Sequence, residues 1–252
     1  MWRDDCKVIG SNFAVMRDDT IIEADSVDEL IEKIRVDAKS RGAVVWITHA
    51  GKKIPIKNGR MPNGADYMPK RGSIISVRGA KGVINYVVVS GGTFKRALDS
   101  AKPTVDKTMA WRVDDTHSIG DYKGDKLFKT AHGSTIAVTH TGDIISVCKK
   151  TGDKASGSDL LKMAVAQGGK KLDSFCGNYD FYVKNGFEPV SWTPFNKEYA
   201  PHDWKEGRDK PEPIIFFKYT GKVTKMDCNE FLHSVKASKE YDDAMSIRDN
   251  AL

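Results

Sequence analysis

The sequence predicts a mixed α/β protein of the α+β kind, in which a mixed sheet flanked by helices follows a small α+β module. Three observations carry this reading. Between Ser134 and Tyr219, short β-branched runs alternate with helical patterns in a fixed order. Residues 42–92 concentrate positive charge, with 8 Lys+Arg against 1 Asp+Glu. Hydrophobic residues are 40% of the 252, enough for a sizeable core in one large or two small domains.

From the N-terminus, Val8–Arg17 and Thr20–Glu23 read as short strands around an Asp18-Asp19 turn. Ser26 and Glu29 form an S-x-x-E capping box, opening a helix to about Ser40 that Gly42 stops. Ala43–Thr48 is an apolar strand. Gly51 to Gly72 holds three prolines, four glycines and six basic residues, and reads as an extended loop or short hairpin. Ser73–Arg78 and Val83–Val89 are strands on either side of a glycine-containing turn. Residues 1–92 are therefore expected to form one small basic module, with Ser90-Gly91-Gly92 as a linker.

Thr93–Ala101 is a helix that Thr93 caps, and Ala110–Val113 a strand entering the second domain. Thr116–Lys126 is polar and glycine-containing, suited to lining a substrate mouth. Ser134–Thr139 and Ile144–Lys149 are strands joined by a His140–Asp143 turn. A polar loop, Lys150 to Gly157, leads into a helix over Ser158–Gln167, which Gly168-Gly169 ends. A strand over Lys171–Phe175, a short helix over Tyr179–Lys184 and strands over Phe187–Phe195 and Pro213–Tyr219 follow. Residues 223–252 read as a helical tail on the domain's flank, with Asp227 or Asn229 capping its first helix and a second near Tyr241–Ile247.

Composition narrows the classes. The net charge is +6, and its excess falls in residues 42–92. Lys52, Lys53, Lys57, Arg60, Lys70 and Arg71 are the residues there that suit phosphate contacts with nucleic acid, or contacts with an acidic protein. No apolar run approaches the roughly 18 residues of a membrane span, and no secretory signal is expected. Cys6, Cys148, Cys176 and Cys228 are scattered without a C-x-x-C pair, so reduced thiols in a cytoplasmic setting are expected, with no metal site. G-x-S-x-G is absent, which removes the α/β-hydrolase nucleophile elbow.

The order strand, loop, helix, strand, short helix, strand, strand resembles the acyl-coenzyme-A-binding half of the GNAT acetyltransferase superfamily. Val147 precedes the run Gly152-Asp153-Lys154-Ala155-Ser156-Gly157 by the family's spacing, and Tyr182-Val183-Lys184-Asn185-Gly186-Phe187 matches its later helix ending. The longer run KKLDSFCGNYDFYVKNGFEPVSW is similar to a GNAT-like subgroup of bacteriophage and prophage proteins. The resemblance covers roughly residues 109–221. Gly152 stands where the family has arginine or glutamine, and Ala155 where it has its first internal glycine; Gly157 and Ser158 hold.

The resemblance implies an acetyl-CoA or other acyl-CoA site. Ser146, Val147 and Cys148 would offer a strand edge to the pantetheine amides. The backbone of Gly152, Asp153, Lys154, Ala155, Ser156, Gly157 and Ser158 would face the pyrophosphate at a helix N-terminus, with Lys149 and Lys150 adding charge. Tyr182 would serve the leaving thiolate as a donor, the other reading being a buried aromatic that packs the short helix onto the sheet. Asp173 is the first candidate for general base; His117, His140 and Asp121 are others. Cys148 lies where the thioester would pass, and reads either as a structural thiol or as an acyl carrier. The run from Trp192 to Trp204 either walls an acceptor pocket or covers a sheet edge. The expected function is N-acyl transfer to an amine of a protein or nucleic acid. An inactive binding or virion-associated fold, and a nucleic-acid modification enzyme holding substrate on residues 42–92, are the alternatives.

Overall fold

A computed structural model describes residues 69, 71–79 and 81–252, together with the backbone of strands at 13–17, 20–24, 44–49 and 52–56. The expected helix over 26–40 lies outside the described residues, as do Lys57, Arg60 and Lys70. The class is mixed α/β, as the sequence predicts.

Strands β1 (Phe13–Arg17), β2 (Thr20–Ala24), β3 (Val44–His49) and β4 (Lys52–Ile56) form an antiparallel sheet in the order β2-β1-β3-β4. The Gly51–Gly72 stretch thus begins as the second strand of a hairpin, with His49 opposite Lys52.

A five-stranded antiparallel sheet follows in sequential order: β5 (Ile74–Gly79), β6 (Gly82–Val88), β7 (Lys126–Thr130), β8 (Thr135–Val138) and β9 (Ile144–Cys148). Strands β5 and β6, assigned by the sequence to the N-terminal module, pair into the same sheet as β7–β9. This sheet therefore runs across the boundary expected at residue 92. Nothing local in the sequence reveals it, because β6 reaches β7 only after a 37-residue excursion from residue 89 to 125.

That excursion carries α1 (Gly91–Ala101) and α2 (Lys107–Ala110). Ser90, not Thr93, caps α1: its side chain accepts from the Thr93 amide at 3.3 Å, so the expected linker is a helix start. The strand expected at Ala110–Val113 is instead the end of α2 and a turn. Trp111 is buried there, its indole donating to the Thr108 carbonyl at 3.0 Å and its ring 4.7 Å from that of Phe175. Local hydrogen bonding outweighed strand propensity.

The third sheet holds β10 (Lys171–Phe175), β11 (Phe187–Thr193) and β12 (Ile214–Tyr219), antiparallel in the order β10-β12-β11. Helix α4 (Tyr179–Lys184) packs against β11 of this sheet, whereas α3 (Gly157–Ala166) packs against β5, β8 and β9 of the five-stranded sheet. Ser156 and Asp159 close a capping box at α3, which begins at Gly157, one residue before the expected Ser158 start. Leu160, Leu161, Met163 and Ala164 of α3 are buried with Ile136, Val138 and Ile144 of the sheet, each leucine contributing roughly 1.5–3 kcal/mol. On the other face, Phe94 and Leu98 of α1 cover Leu127, Ala137 and Cys148.

The tail forms α5 (Cys228–Ser234), capped by Asp227, and α6 (Tyr241–Asn250). Neighbouring residues of β12 point oppositely, as a strand requires. Phe217 meets Tyr179 and Tyr182 of α4, and Phe216 meets Tyr241 of α6. Helix α6 thus packs across β11 and β12 of the third sheet. Cys176 and Cys228 form a disulfide, with Cα atoms 6.7 Å apart. This corrects the expectation of reduced thiols: the pair is 52 residues apart in sequence, and only folding brings α5 to the start of α4. Cys148 is free and buried. No helix among the described residues is long and apolar enough to cross a membrane.

Candidate functional site

Strands β9 and β10 are the facing edges of the second and third sheets. They meet through one parallel bridge, Asp143 to Lys171, with the Lys170 amide donating to the Gly142 carbonyl at 2.9 Å. Beyond it no ladder joins them, and a cleft of about 400 Å³ opens.

The divergence has a local cause. The β8–β9 register shifts between Thr135 and Ala137, setting Ser146 and Val147 opposite the single residue Ile136. This is a β-bulge, which bends a strand away from its partner's course. Ser146 takes a φ of 51°, a conformation that costs a non-glycine residue about 1–2 kcal/mol. Its hydroxyl shares a 3.1 Å hydrogen bond with the Tyr122 hydroxyl, and its carbonyl accepts from Thr135 Oγ1 at 3.2 Å. The loop after α2 is thereby fastened to the bulge.

Of the residues singled out from sequence, Ser146, Val147, Lys149, Gly157, Asp173 and Tyr182 line the cleft. Tyr182 is 8% exposed, its ring packed against Phe181, Phe187 and Phe217. The ring therefore belongs to the core, as the packing reading expects, while the side chain borders the cleft. Burial pushes the phenol up to about 12, against a hydrogen bond with Ser174. Gly157 lies under Phe181, where an added Cβ would come within 2.8 Å of the ring.

Asp173 sits next to Ser174 on β10 and so points to the opposite face. Burial raises its carboxyl to about 6, opposed by a hydrogen bond from Tyr241 and by the nearby Arg248. Asp114 and Arg112 also border the cleft and were not singled out. Arg112 pairs with Glu212, its Nε donating to Oε2 at 3.0 Å. Burial works to raise Asp114, but hydrogen bonds from His117 and Thr116 outweigh it and hold the carboxyl at about 2.

The loop expected to cradle phosphates binds its own carboxylates. Asp153 Oδ2 accepts from the hydroxyls of Ser134, at 2.6 Å, and Thr130, while Oδ1 accepts from the Ala155 amide at 3.0 Å. The Ser156 amide donates to Asp159 Oδ2 at 2.9 Å. Burial opposes ionisation of Asp153, and these hydrogen bonds outweigh it, so its carboxyl lies below the usual range. The amides of Gly157 and Ser158, at the start of α3, have no acceptor among the described residues. Gly152 and Lys154 are exposed, and Ala155 is buried.

Cys148 faces α1 rather than the cleft, and burial pushes its thiol up to about 12. A thiol held protonated away from the cleft does not fit an acyl carrier. His117, His140 and Asp121 line a separate depression of about 490 Å³ with Asp125, and Ile145 borders both hollows. His117 Nδ1 lies 3.0 Å from Asp114 Oδ2, which raises its pKa. No residue from Trp192 to Trp204 lines the cleft; Phe195 instead packs between Phe175 and Trp204. Arg71 is an exposed turn residue, and Lys52 and Lys53 lie on β4. Among the described residues, no group of three or more His, Cys, Asp or Glu is placed to hold a metal ion.

Fold and site together define a mixed α/β protein whose two main sheets part over a buried phenol and a carboxylate on opposite faces. Comparison with family models, curated proteins and solved structures finds no match to this chain.

Proposed function

We propose that this protein is an acyl-CoA-dependent N-acyltransferase acting on an amine of a protein or nucleic acid. One observation carries the reading: β9 and β10 part into a cleft with the Tyr182 phenol on one face and the Asp173 carboxylate on the other. An acyl thioester, when bound, supplies an activated carbonyl to that cleft.

The outer edge of β9 has no partner strand past Asp143, so its backbone groups are open to the amides of an extended arm. The free amides of Gly157 and Ser158 suit one end of a pyrophosphate. Asp173 takes a proton from the acceptor ammonium, freeing its lone pair for the carbonyl carbon. As the C–N bond forms and the C–S bond breaks, Tyr182 gives its proton to the departing sulfur, and the second proton lost by the acceptor nitrogen restores the phenol through solvent. A phenol with a pKa near 12 is protonated throughout the neutral range, as that role requires.

The filled loop favours a second reading, an inactive fold that serves as a binding or virion-associated protein. Asp153 and Asp159 occupy amides that an anion would otherwise use. Calorimetry with acetyl-CoA separates the two. Micromolar binding, with thiol release when amines are added, supports the enzyme; absence of binding at millimolar ligand leaves the binding protein. A nucleic-acid acceptor held by residues 42–92 would appear as salt-dependent affinity for oligonucleotides.

A further inference from the structure

We infer that a hollow on the outer side of α3 is a docking site for an acidic segment of a partner protein, one that presents a leucine-sized apolar side chain between carboxylates. Helix α3 separates this hollow from the cleft: Leu160 borders the cleft, its neighbour Leu161 borders the hollow, and the two share no lining residue. The inference therefore stands apart from the acyl-transfer reading.

The hollow measures about 370 Å³ and lies between α3, the end of α4 and the chain after β12. Two glycines make room for it. Gly186 ends α4 with a φ of 86°, and Gly221 follows β12 with a φ of 72°, conformations that suit glycine. The Thr220 and Gly221 amides both donate to the Gly186 carbonyl at 3.0 Å, so the two loops touch backbone to backbone. A Cβ on Gly186 would stand 3.0 Å from the Gly221 Cα. The Tyr219 ring lies 5.1 Å from that of Phe187, which fixes that wall. The hollow is thus formed before a partner arrives, and little ordering opposes binding.

Its walls are apolar and its charge is of one sign. Leu161, Val165 and Ala166 of α3 line it together with Tyr219 and Val223. Val223 is 64% exposed and Tyr219 38%. Apolar surface left to water inside a polar rim marks an interaction site. Lys162 and Lys184 supply the rim; both are exposed, and neither forms an ion pair among the described residues. Lys222 and Lys225 extend the positive charge along the chain beside Val223. No carboxylate lines the hollow among the described residues. An apolar side chain fills the floor while its flanking carboxylates meet the two ammonium groups, whose stems lie along it. Two cations over an apolar floor suit nucleic acid poorly, because its affinity comes from many phosphate contacts.

The test titrates the full chain with a fluorescein-labelled peptide of glutamates around one leucine, read by fluorescence anisotropy at low salt. Saturable micromolar binding is expected, with shifts of the Val165 and Val223 methyl signals in NMR spectra. Lys162→Glu combined with Lys184→Glu should weaken binding about tenfold, and raised salt should weaken it in the wild type. Val223→Asp, at an exposed position, should also weaken it. An all-glutamate peptide should bind about tenfold more weakly than the leucine peptide, since the floor is then left unfilled. Equal affinity of those two peptides, unmoved methyl signals, an unaffected lysine double variant or no saturable binding at millimolar peptide would each overturn the proposal. So would tighter binding of an oligonucleotide that the double variant abolishes, which would assign the hollow to nucleic acid. Acetyl-CoA affinity should be the same in wild type and variants, so failure of the acyl-transfer reading is seen separately from failure of this one.

Discussion

Asp143 and Lys171 form the one backbone bridge between the five-stranded and three-stranded sheets among the described residues, and their side chains pair across it at 3.3 Å. The closed end of the cleft is therefore a charge cluster as well as a hydrogen bond. Arg248 and Asp249 of α6 complete it. The last helix thus helps set where the two strands begin to part.

Lys171→Met should cost about 1–3 kcal/mol in urea unfolding. The buried stem is kept, while Arg248 remains to partner both Asp143 and Asp249. Removing a buried cation that had been the sole partner would cost about 3–5 kcal/mol. Lys197→Met, which breaks an exposed pair with Glu206, is the control and should show no measurable change. Equal effects in the two variants would remove the special role given to the cluster.

Tyr182→Phe keeps the packed ring and removes only the hydroxyl. Turnover should fall by roughly one to three orders of magnitude, the usual worth of a positioned acid. Acetyl-CoA affinity should change less than about threefold, since charge on sulfur develops only as the bond breaks. Steady-state kinetics with calorimetry checks both numbers, and full turnover would return Tyr182 to a packing role.

Asp173→Asn should stabilise the protein at pH 8 and leave it nearly unchanged at pH 4. The folded carboxyl titrates at about 6, above its ordinary range, so the fold holds its proton more tightly than the unfolded chain does. Stability from that proton is present below about pH 4 and is lost as pH rises through about 6. A tenfold change in proton affinity is worth about 1.4 kcal/mol, which sets a ceiling of roughly 3 kcal/mol. Melting temperatures at the two pH values decide it, with equal gains at both counting against burial as the cause.

Asp153→Asn should show the reverse dependence. The wild-type carboxylate accepts from Ser134, Thr130 and Ala155, and its pKa is depressed. Its contribution is present above about pH 4 and is lost as pH falls through the folded value. The variant should be less stable by about 1–3 kcal/mol at pH 7, with the gap closing in acid. Denaturation curves at pH 7 and pH 3 measure that gap.

Local pattern alone determined most elements of this chain. The runs at Lys171–Phe175 and Tyr179–Lys184 carry their own periodicity and end signals, and the structure holds them at those bounds. Tyr182 stands out because it sits in a run that resembles a known family, whereas no motif distinguishes Asp173 from His117, His140 or Asp121 as a base. The tertiary structure alone decided how those pieces meet. The bulge at Ser146 has no glycine to announce it, because Tyr122 and Thr135 hold the strained residue from elsewhere in the chain. The same holds for β5 and β6 joining the later strands, and for Lys171 reaching Asp249 across 78 residues of sequence. Periodicity records which face of an element is buried. It carries no record of which distant element does the burying, and that choice is made by the packing of the whole chain.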